Sequence, residues 1–418
     1  MRFITRIHAA LIVEATLLTL LFILLLCTAV IHSTELDELY VALIERNVYR
    51  TVHIYDADGF AVYDGGFSDD ADIRKAYCQI IGDKDKSIPQ SLLTRSLRDT
   101  QSYSKLYGYQ PKGREIPLTT KTALQMAGYS MLRDNGYNGT LIVLDYDSGE
   151  IKAMVSTPVF DPADKSILPD GAYLHKALQT FVPGSVFKPV AAAAILENDV
   201  NASRDQFDCF GTHKNVYSCY GGTAHGRETL GDILYNSCNC GMAYLADKYL
   251  KPEKLDKFAN FAGVVADGAA VDLAIKAGSI RSEDDLGWTA NGQSKTLVSP
   301  LSLAVYYGAL AKGGNRCPVR LRQDSVLPDS KRIMNEFTAD YITTALTPLA
   351  GEAGIGCGAF CKTGTAQNGG DKNAHSWFIC ALTDPDAPHY VICTMLEFAG
   401  SSVLARSLTV DFINNFIL

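Results

Sequence analysis

Ser185 and Lys188 stand three residues apart in FVPGSVFKPVAAAAILE (181–197), between a Pro-Gly turn and a run of alanines. A serine hydroxyl attacks a carbonyl carbon only when a base takes its proton. Residues at i and i+3 share a helix face, so the Lys188 amine can reach the Ser185 hydroxyl. To act as that base the amine must be neutral. A lysine far below its ordinary pKa of about 10.4 needs burial or a neighbouring cation. The alanines at 191–194 predict a dry, close-packed helix behind the pair. Pro189 lacks a backbone donor and costs least in the first helical turn, which places Ser185 at a helix N-terminus. Free N–H groups there favour a developing oxyanion.

Two further stretches offer partners. In Tyr235-Asn236-Ser237-Cys238-Asn239, Ser237 can relay a proton to a leaving amine, and Asn239 can hold a substrate amide while touching Lys188. Lys362-Thr363-Gly364-Thr365 sits inside a strand pattern. A glycine on a strand edge lets a substrate backbone come close, and the threonine hydroxyls can bind a carboxylate. The Lys362 charge would depress the pKa of Lys188. Each signal is common when taken singly. Ser-x-Asn is ordinary at caps and turns. Ser102-Tyr103-Ser104-Lys105 repeats the Ser-x-x-Lys spacing in a polar, turn-rich stretch with no apolar helix behind it.

These residues need elements to hold them. Thr140–Ser156 reads as a hairpin, two β-rich runs around Asp147-Ser148-Gly149. AFCKTGTAQ, HSWFICALT and HYVICTMLEFAG read as three strands near the C-terminus, followed by a helix in SSVLARSLTVDFINNFIL. The middle of the chain is mainly helical, as in TLGDILYNSCNCGMAYLADKYL and SPLSLAVYYGALAKGG. Strands from both ends flanking a helical middle predict an α+β fold with an antiparallel sheet built from the two ends of one domain. Upstream, a helix is expected over Thr119–Asn135 and over Glu35–Arg50. A hairpin is expected over His53–Gly66, with Asp-Ala-Asp-Gly as its turn, and a boundary loop at YGYQPKGRE.

The remaining bounds come from composition. The 418 residues are 47% hydrophobic and 20% charged, with a net charge of −8 and no Lys/Arg run. That excludes a phosphate-neutralising nucleic-acid surface. Ala9 to Ile31 is nearly all apolar, with Glu14 the one charge within it. As a helix it spans about 34 Å, enough for a hydrocarbon core of about 30 Å. Arg2 and Arg6 precede it, and Glu35, Asp37 and Glu38 follow. The positive-inside rule therefore predicts a single-pass anchor with a cytoplasmic N-terminus. Among eleven cysteines, Cys209 and Cys219 form the best candidate disulfide, and Cys357 with Cys361 a weaker one.

Ser-x-x-Lys, then Ser-x-Asn, then Lys-Thr-Gly, in this order and with these gaps, resembles the penicillin-recognising serine acyltransferases. The surroundings resemble the monofunctional, class B penicillin-binding proteins: LDYDSGEIKAMVSTPVFDP, PGSVFKP, HGRETLGDILYNSCN, NGQSKTLVSPLSLA and CKTGTAQ. The likeness covers Asn138 to the C-terminus. It implies a five-stranded antiparallel sheet flanked by helices, plus a mostly helical subdomain. It implies Ser185 as the acylated nucleophile, Lys188 as its base, Ser237 as proton relay and Asn239 as substrate positioner. Lys362, Thr363, Gly364 and Thr365 would line the substrate strand, with backbone N–H groups of Ser185 and Thr365 as the oxyanion hole. Val186 departs from the usual threonine, and His175-Lys176-Ala177 from the common Asn-Arg-Ala. The resemblance implies D,D-transpeptidation of peptidoglycan stem peptides, acylation by β-lactams, no metal or organic cofactor, and a polytopic glycan polymerase as partner. Water or amine as acceptor stays open, so a D,D-carboxypeptidase is an alternative. A β-lactam-hydrolysing or sensing protein of the same fold is another, and a non-catalytic division scaffold a third. The expected organisation is a cytoplasmic tail (1–8), a transmembrane anchor (9–31), a reduced mixed pedestal (32–137) and the acyltransfer domain (138–418). In the pedestal Ile54-x-Asp56-x-x-Gly59 and Leu118–Gln125 resemble family boxes with substitutions.

Overall fold

The strand-forming runs of the sequence pair as their burial requires. The computed structural model describes residues 11–28, 30, 49–96, 101–104, 108–111, 113–266, 272–367 and 373–418. They fall into two units, Met1–Val52 with Ser96–Arg114, and His53–Arg95 with Glu115–Leu418. In the larger unit α1 (Thr122–Asp134) precedes the hairpin β1 (Gly139–Asp145) and β2 (Ile151–Thr157). Then come α2 (Lys188–Asn198), α3 (Leu230–Tyr235), α4 (Asn239–Tyr249), α5 (Pro300–Ala311) and α6 (Glu336–Ala353). The chain closes with β3 (Ala359–Ala366), β4 (His375–Leu382), β5 (Tyr390–Leu396) and α7 (Ser402–Phe416). The sheet runs β3-β4-β5-β1-β2, antiparallel throughout. The expected α+β sheet assembled from both ends of the domain is present.

Helices cover both sheet faces, which explains why β2 and β4 are buried at every position. Gly308 of α5 approaches Val391 of β5. Thr409 of α7 hydrogen-bonds Thr394, three residues along the same strand and therefore on the opposite face. Gly128 of α1 faces Leu141, Val155 and Phe412, so α1 and α7 share that second face. Trp377, Phe378 and Ile379 are fully buried between these layers. Each such side chain contributes about 1.5–3 kcal/mol of transfer free energy.

Upstream, Asp-Ala-Asp-Gly makes the expected turn. Asp56 Oδ1 accepts from the N–H groups of Asp58 and Phe60, and Val52–Tyr55 pairs with Ala61–Asp64. The other Asp56 oxygen accepts from Thr122 N at 2.9 Å, capping α1, whose own N-cap residue Lys121 makes no side-chain cap bond. Gln125 is fully buried: its Nε2 donates to Ala76 O and Met154 O, and its Oε1 accepts from Met154 N.

In the smaller unit, Leu11–Thr28 is an exposed helix of 18 residues with mean hydropathy 2.5, long and apolar enough to cross a membrane. Its Thr16, Thr19 and Thr28 hydroxyls donate to carbonyls four residues back, which satisfies them without water. The expected boundary loop differs: Gly108–Pro111 is a strand paired with Gln101–Ser104. Ser102 and Ser104 are thus on a strand, and Lys105 lies outside the described residues. The helix expected over 35–50 also falls outside them, save for a 3-10 turn at Tyr49–Thr51.

Candidate active site

Ser185 lies in a 3-10 turn, Gly184–Phe187, that runs directly into α2 at Lys188. Pro189 occupies the first turn of α2, where a missing donor costs least, as its position in the sequence requires. Behind it Val190 to Ile195 are buried, and the Tyr306 and Tyr307 hydroxyls of α5 donate to the carbonyls of Pro189 and Val186. The turn is therefore bolted to the core. Lys188 Nζ sits 2.6 Å from Ser185 Oγ, within reach of its proton.

The second stretch arrives by a break in the helix expected through it. The run 229–250 forms two helices, α3 and α4, separated at Asn236–Cys238. Ser237 adopts φ +57°, and Cys238 caps α4 by accepting from Gly241 N. That break lifts Ser237 and Asn239 towards Lys188. Lys188 Nζ donates to Asn239 Oδ1 at 2.8 Å and lies 3.5 Å from Ser237 Oγ. Asn239 Nδ2 donates to Ser218 O at 2.9 Å, which fixes which way the amide points.

The third stretch is β3, an edge strand that pairs only with β4 among the described residues. The glycine is required by the protein's own packing. A Cβ on Gly364 would meet Pro183 O at 2.9 Å and Val186 Cγ1 at 3.0 Å. The protein's own Ser185 turn comes close to it. Gly184, at φ +61°, is matched to it: a Cβ there would meet Thr365 O at 2.7 Å. Lys362 is buried on this strand, with Thr363 and Thr365 half-buried.

Lys188 is fully buried. Burial first, and the Lys362 cation second, hold its amine well below the usual lysine range. Burial alone brings Lys362 down to about 8. All three stretches thus converge on one amine. A neutral amine 2.6 Å from a serine hydroxyl, beside a second hydroxyl, a carboxamide and a buried cation, can run acyl transfer.

The domain family described as penicillin binding protein transpeptidase domain matches residues 139–409, well over half of the chain. The chain belongs to the penicillin-binding protein transpeptidase family. It is 29% identical over 292 residues to stage V sporulation protein D of Bacillus subtilis, covering 61% of this chain and 44% of that protein. The chain thus spans less than half of that relative. It is 24% identical over 342 residues to peptidoglycan D,D-transpeptidase PbpA of Mycobacterium tuberculosis, covering 69% and 68%. The penicillin G acyl-enzyme complex of penicillin-binding protein A from M. tuberculosis superposes with a TM-score of 0.69 at 20% identity, covering 87% and 98%. The penicillin-binding protein fold and the class B likeness read from the motifs are borne out.

Several supports went unassigned in the sequence. Asn291 is buried and donates to Asn239 O, and Gln293 donates to Thr365 O, so the Asn-Gly-Gln loop bridges the second and third stretches. Trp377 Nε1 donates to Val182 O behind the nucleophile turn. The departures from family pattern are absorbed locally: Lys176 pairs with Glu397, and His175 contacts Ser156 Oγ. The suggested disulfides are not formed. Cys209 and Cys219 do meet, but their sulfurs stand 3.7 Å apart, against about 2.05 Å for a bond. They are spread around a space shared with Cys238, 3.6 Å from Cys219. Cys361 is held in β3 opposite Cys380, and Cys357 precedes the strand as a free thiol.

Proposed function

We propose that the protein is a membrane-anchored peptidoglycan D,D-transpeptidase that works through a serine acyl-enzyme. The observation that carries this is Lys188, buried and 2.6 Å from Ser185 Oγ with Asn239 and Ser237 around it. Ser185 Oγ bonds to the penultimate D-alanine carbonyl carbon of a stem peptide as Lys188 takes the hydroxyl proton. Backbone N–H groups of Ser185 and Thr365 receive the developing oxyanion. The C–N bond to the terminal D-alanine then breaks, and the proton reaches the leaving amine through Ser237. An amine of a neighbouring stem attacks the ester, its proton returns to Oγ, and a cross-link replaces the ester. Lys362, Thr363 and Thr365 bind the terminal carboxylate, while Asn239 holds the substrate amide. β-Lactams are trapped at Ser185 by the same first step.

The domain reading retains 1–8 as a cytoplasmic tail, 9–31 as a single-pass anchor, 32–137 as a reduced pedestal and 138–418 as the catalytic domain outside the membrane. Its apolar Leu11–Thr28 helix supports the anchor. The polymerase that supplies glycan strands is a polytopic membrane partner met through the anchor and pedestal. The test is intact mass of the full-length chain in detergent with a fluorescent penicillin, beside Ser185→Ala. A stable adduct on wild type alone is expected. Rapid loss of the adduct would convert the reading to a hydrolase, and no adduct on either protein would overturn it.

A further inference from the structure

Beside the catalytic cluster, three sulfurs and one imidazole face a common centre. Single ligand atoms of Cys209, Cys219, His225 and Cys238 all lie within 4.8 Å of one another. Cys209 Sγ is 3.7 Å from Cys219 Sγ, Cys219 Sγ is 3.6 Å from Cys238 Sγ, and Cys209 Sγ is 3.5 Å from His225 Nδ1. A tetrahedral zinc, with Zn–S about 2.3 Å and Zn–N about 2.05 Å, sets S···S edges of about 3.8 Å and S···N edges of about 3.6 Å. These three edges agree with that tetrahedron to about 0.2 Å, and the other three are within 4.8 Å. A disulfide would instead draw one pair to about 2.05 Å and leave a thiol and an imidazole behind.

The cluster is enclosed. Glu228 is 1% exposed, and its Oε2 has no hydrogen-bond partner. That oxygen lies 4.0 Å from His225 Nδ1, on the rim of the cluster, while Asn236 donates to Oε1. The three cysteines are at most 4% exposed. Around them, residues 207–228 hold only strands of two or three residues and a 3-10 turn at Tyr220–Gly222, too little regular structure to fix the segment alone.

We propose that Cys209, Cys219, His225 and Cys238 form a structural zinc site that braces the Ser237–Asn239 loop. Three thiolates and one neutral imidazole favour zinc among the common divalent ions. Binding releases the thiol protons to solvent and forms three S–Zn bonds and one N–Zn bond. Cys238 is the link to the active site, since it lies between Ser237, at φ +57°, and Asn239. Fixing its sulfur fixes the backbone that presents both side chains to Lys188. This departs from the metal-free expectation of the family resemblance, and it depends on no step of the acyl-transfer reading.

The test is elemental analysis of the full-length chain, purified in detergent without chelators and dialysed against micromolar zinc. One zinc per chain is expected. His225→Ala should fall below one-tenth of that, whereas His225→Cys, which completes a four-cysteine site, should retain it. Stripping wild type with a chelator and titrating zinc back controls for misfolding in the variants, and uptake should saturate at one equivalent. Penicillin acylation of the stripped protein should slow tenfold or more and recover on zinc return. Zinc-free wild type after dialysis would overturn the proposal, as would full zinc in His225→Ala. A mass about 2 Da low, with two thiols unreactive until reduced, would show a disulfide in its place.

Discussion

In the proposed mechanism the reactivity of Ser185 depends on one proton, and the pH dependence of acylation reports where it goes. Lys188 is held well below the usual lysine range by burial and by Lys362, which favours its neutral, proton-accepting form. The acid limb of the acylation rate constant follows its protonation. Lys362, lowered to about 8, loses its charge above that pH, and with it the cation proposed to attract the substrate carboxylate. The second-order rate constant for penicillin should therefore rise from acid, then fall above about pH 8. Lys362→Arg keeps its charge beyond about pH 12. It should lower the plateau and abolish the alkaline limb in stopped-flow acylation. An alkaline limb unchanged in the Arg variant would assign it to another group.

At the scale of elements, the site includes a contact between a 3-10 turn and one face of β3 with no room between them at Gly364. Gly364→Ala puts a methyl 2.9 Å from Pro183 O and 3.0 Å from Val186 Cγ1, so the Ser185 turn must shift away from β3. Overpacking of this kind costs about 1–3 kcal/mol. A displacement of about 1 Å at the nucleophile costs about 10²-fold in rate. Acylation of Gly364→Ala should fall by roughly that factor while circular dichroism stays native. A variant that acylates at the wild-type rate would show that the close approach positions nothing. The break between α3 and α4 works at the same scale. Two helices, rather than the single one their sequence favours, let Ser237 and Asn239 turn towards Lys188.

For the whole molecule, acid stability is set partly by a buried histidine. His175 is 6% exposed, and burial lowers its pKa to about 4. Between about pH 6.5 and 4 the unfolded chain binds the proton and the folded one does not, so stability falls as pH falls through that window. The full effect is about 3 kcal/mol. Thermal unfolding of His175→Gln should show a shallower loss over that window than wild type; equal slopes would remove His175 from the account. The expected strands, the sheet they form and the helices of the catalytic domain were legible because each shows an unambiguous period or cap, as in Thr140–Ser156 and Ser299–Ala311. The break at Asn236–Cys238 was not, because Leu230–Tyr249 keeps helical composition across it.

By its sequence alone the chain marks the groups proposed to do chemistry. Ser185, Lys188, Ser237, Asn239 and Lys362 stand out by residue type and order, and Pro189 marks where the helix begins. Tertiary structure decided what those groups become. Burial turns Lys188 towards a base, because the cost of a buried charge depends on atoms distant in sequence. It also decided that Gly364 serves the protein's own backbone, and that Cys209, Cys219, His225 and Cys238 converge. Spacings of ten, six and thirteen residues across irregular loops have no period to read, and only the folded chain closes them into one site.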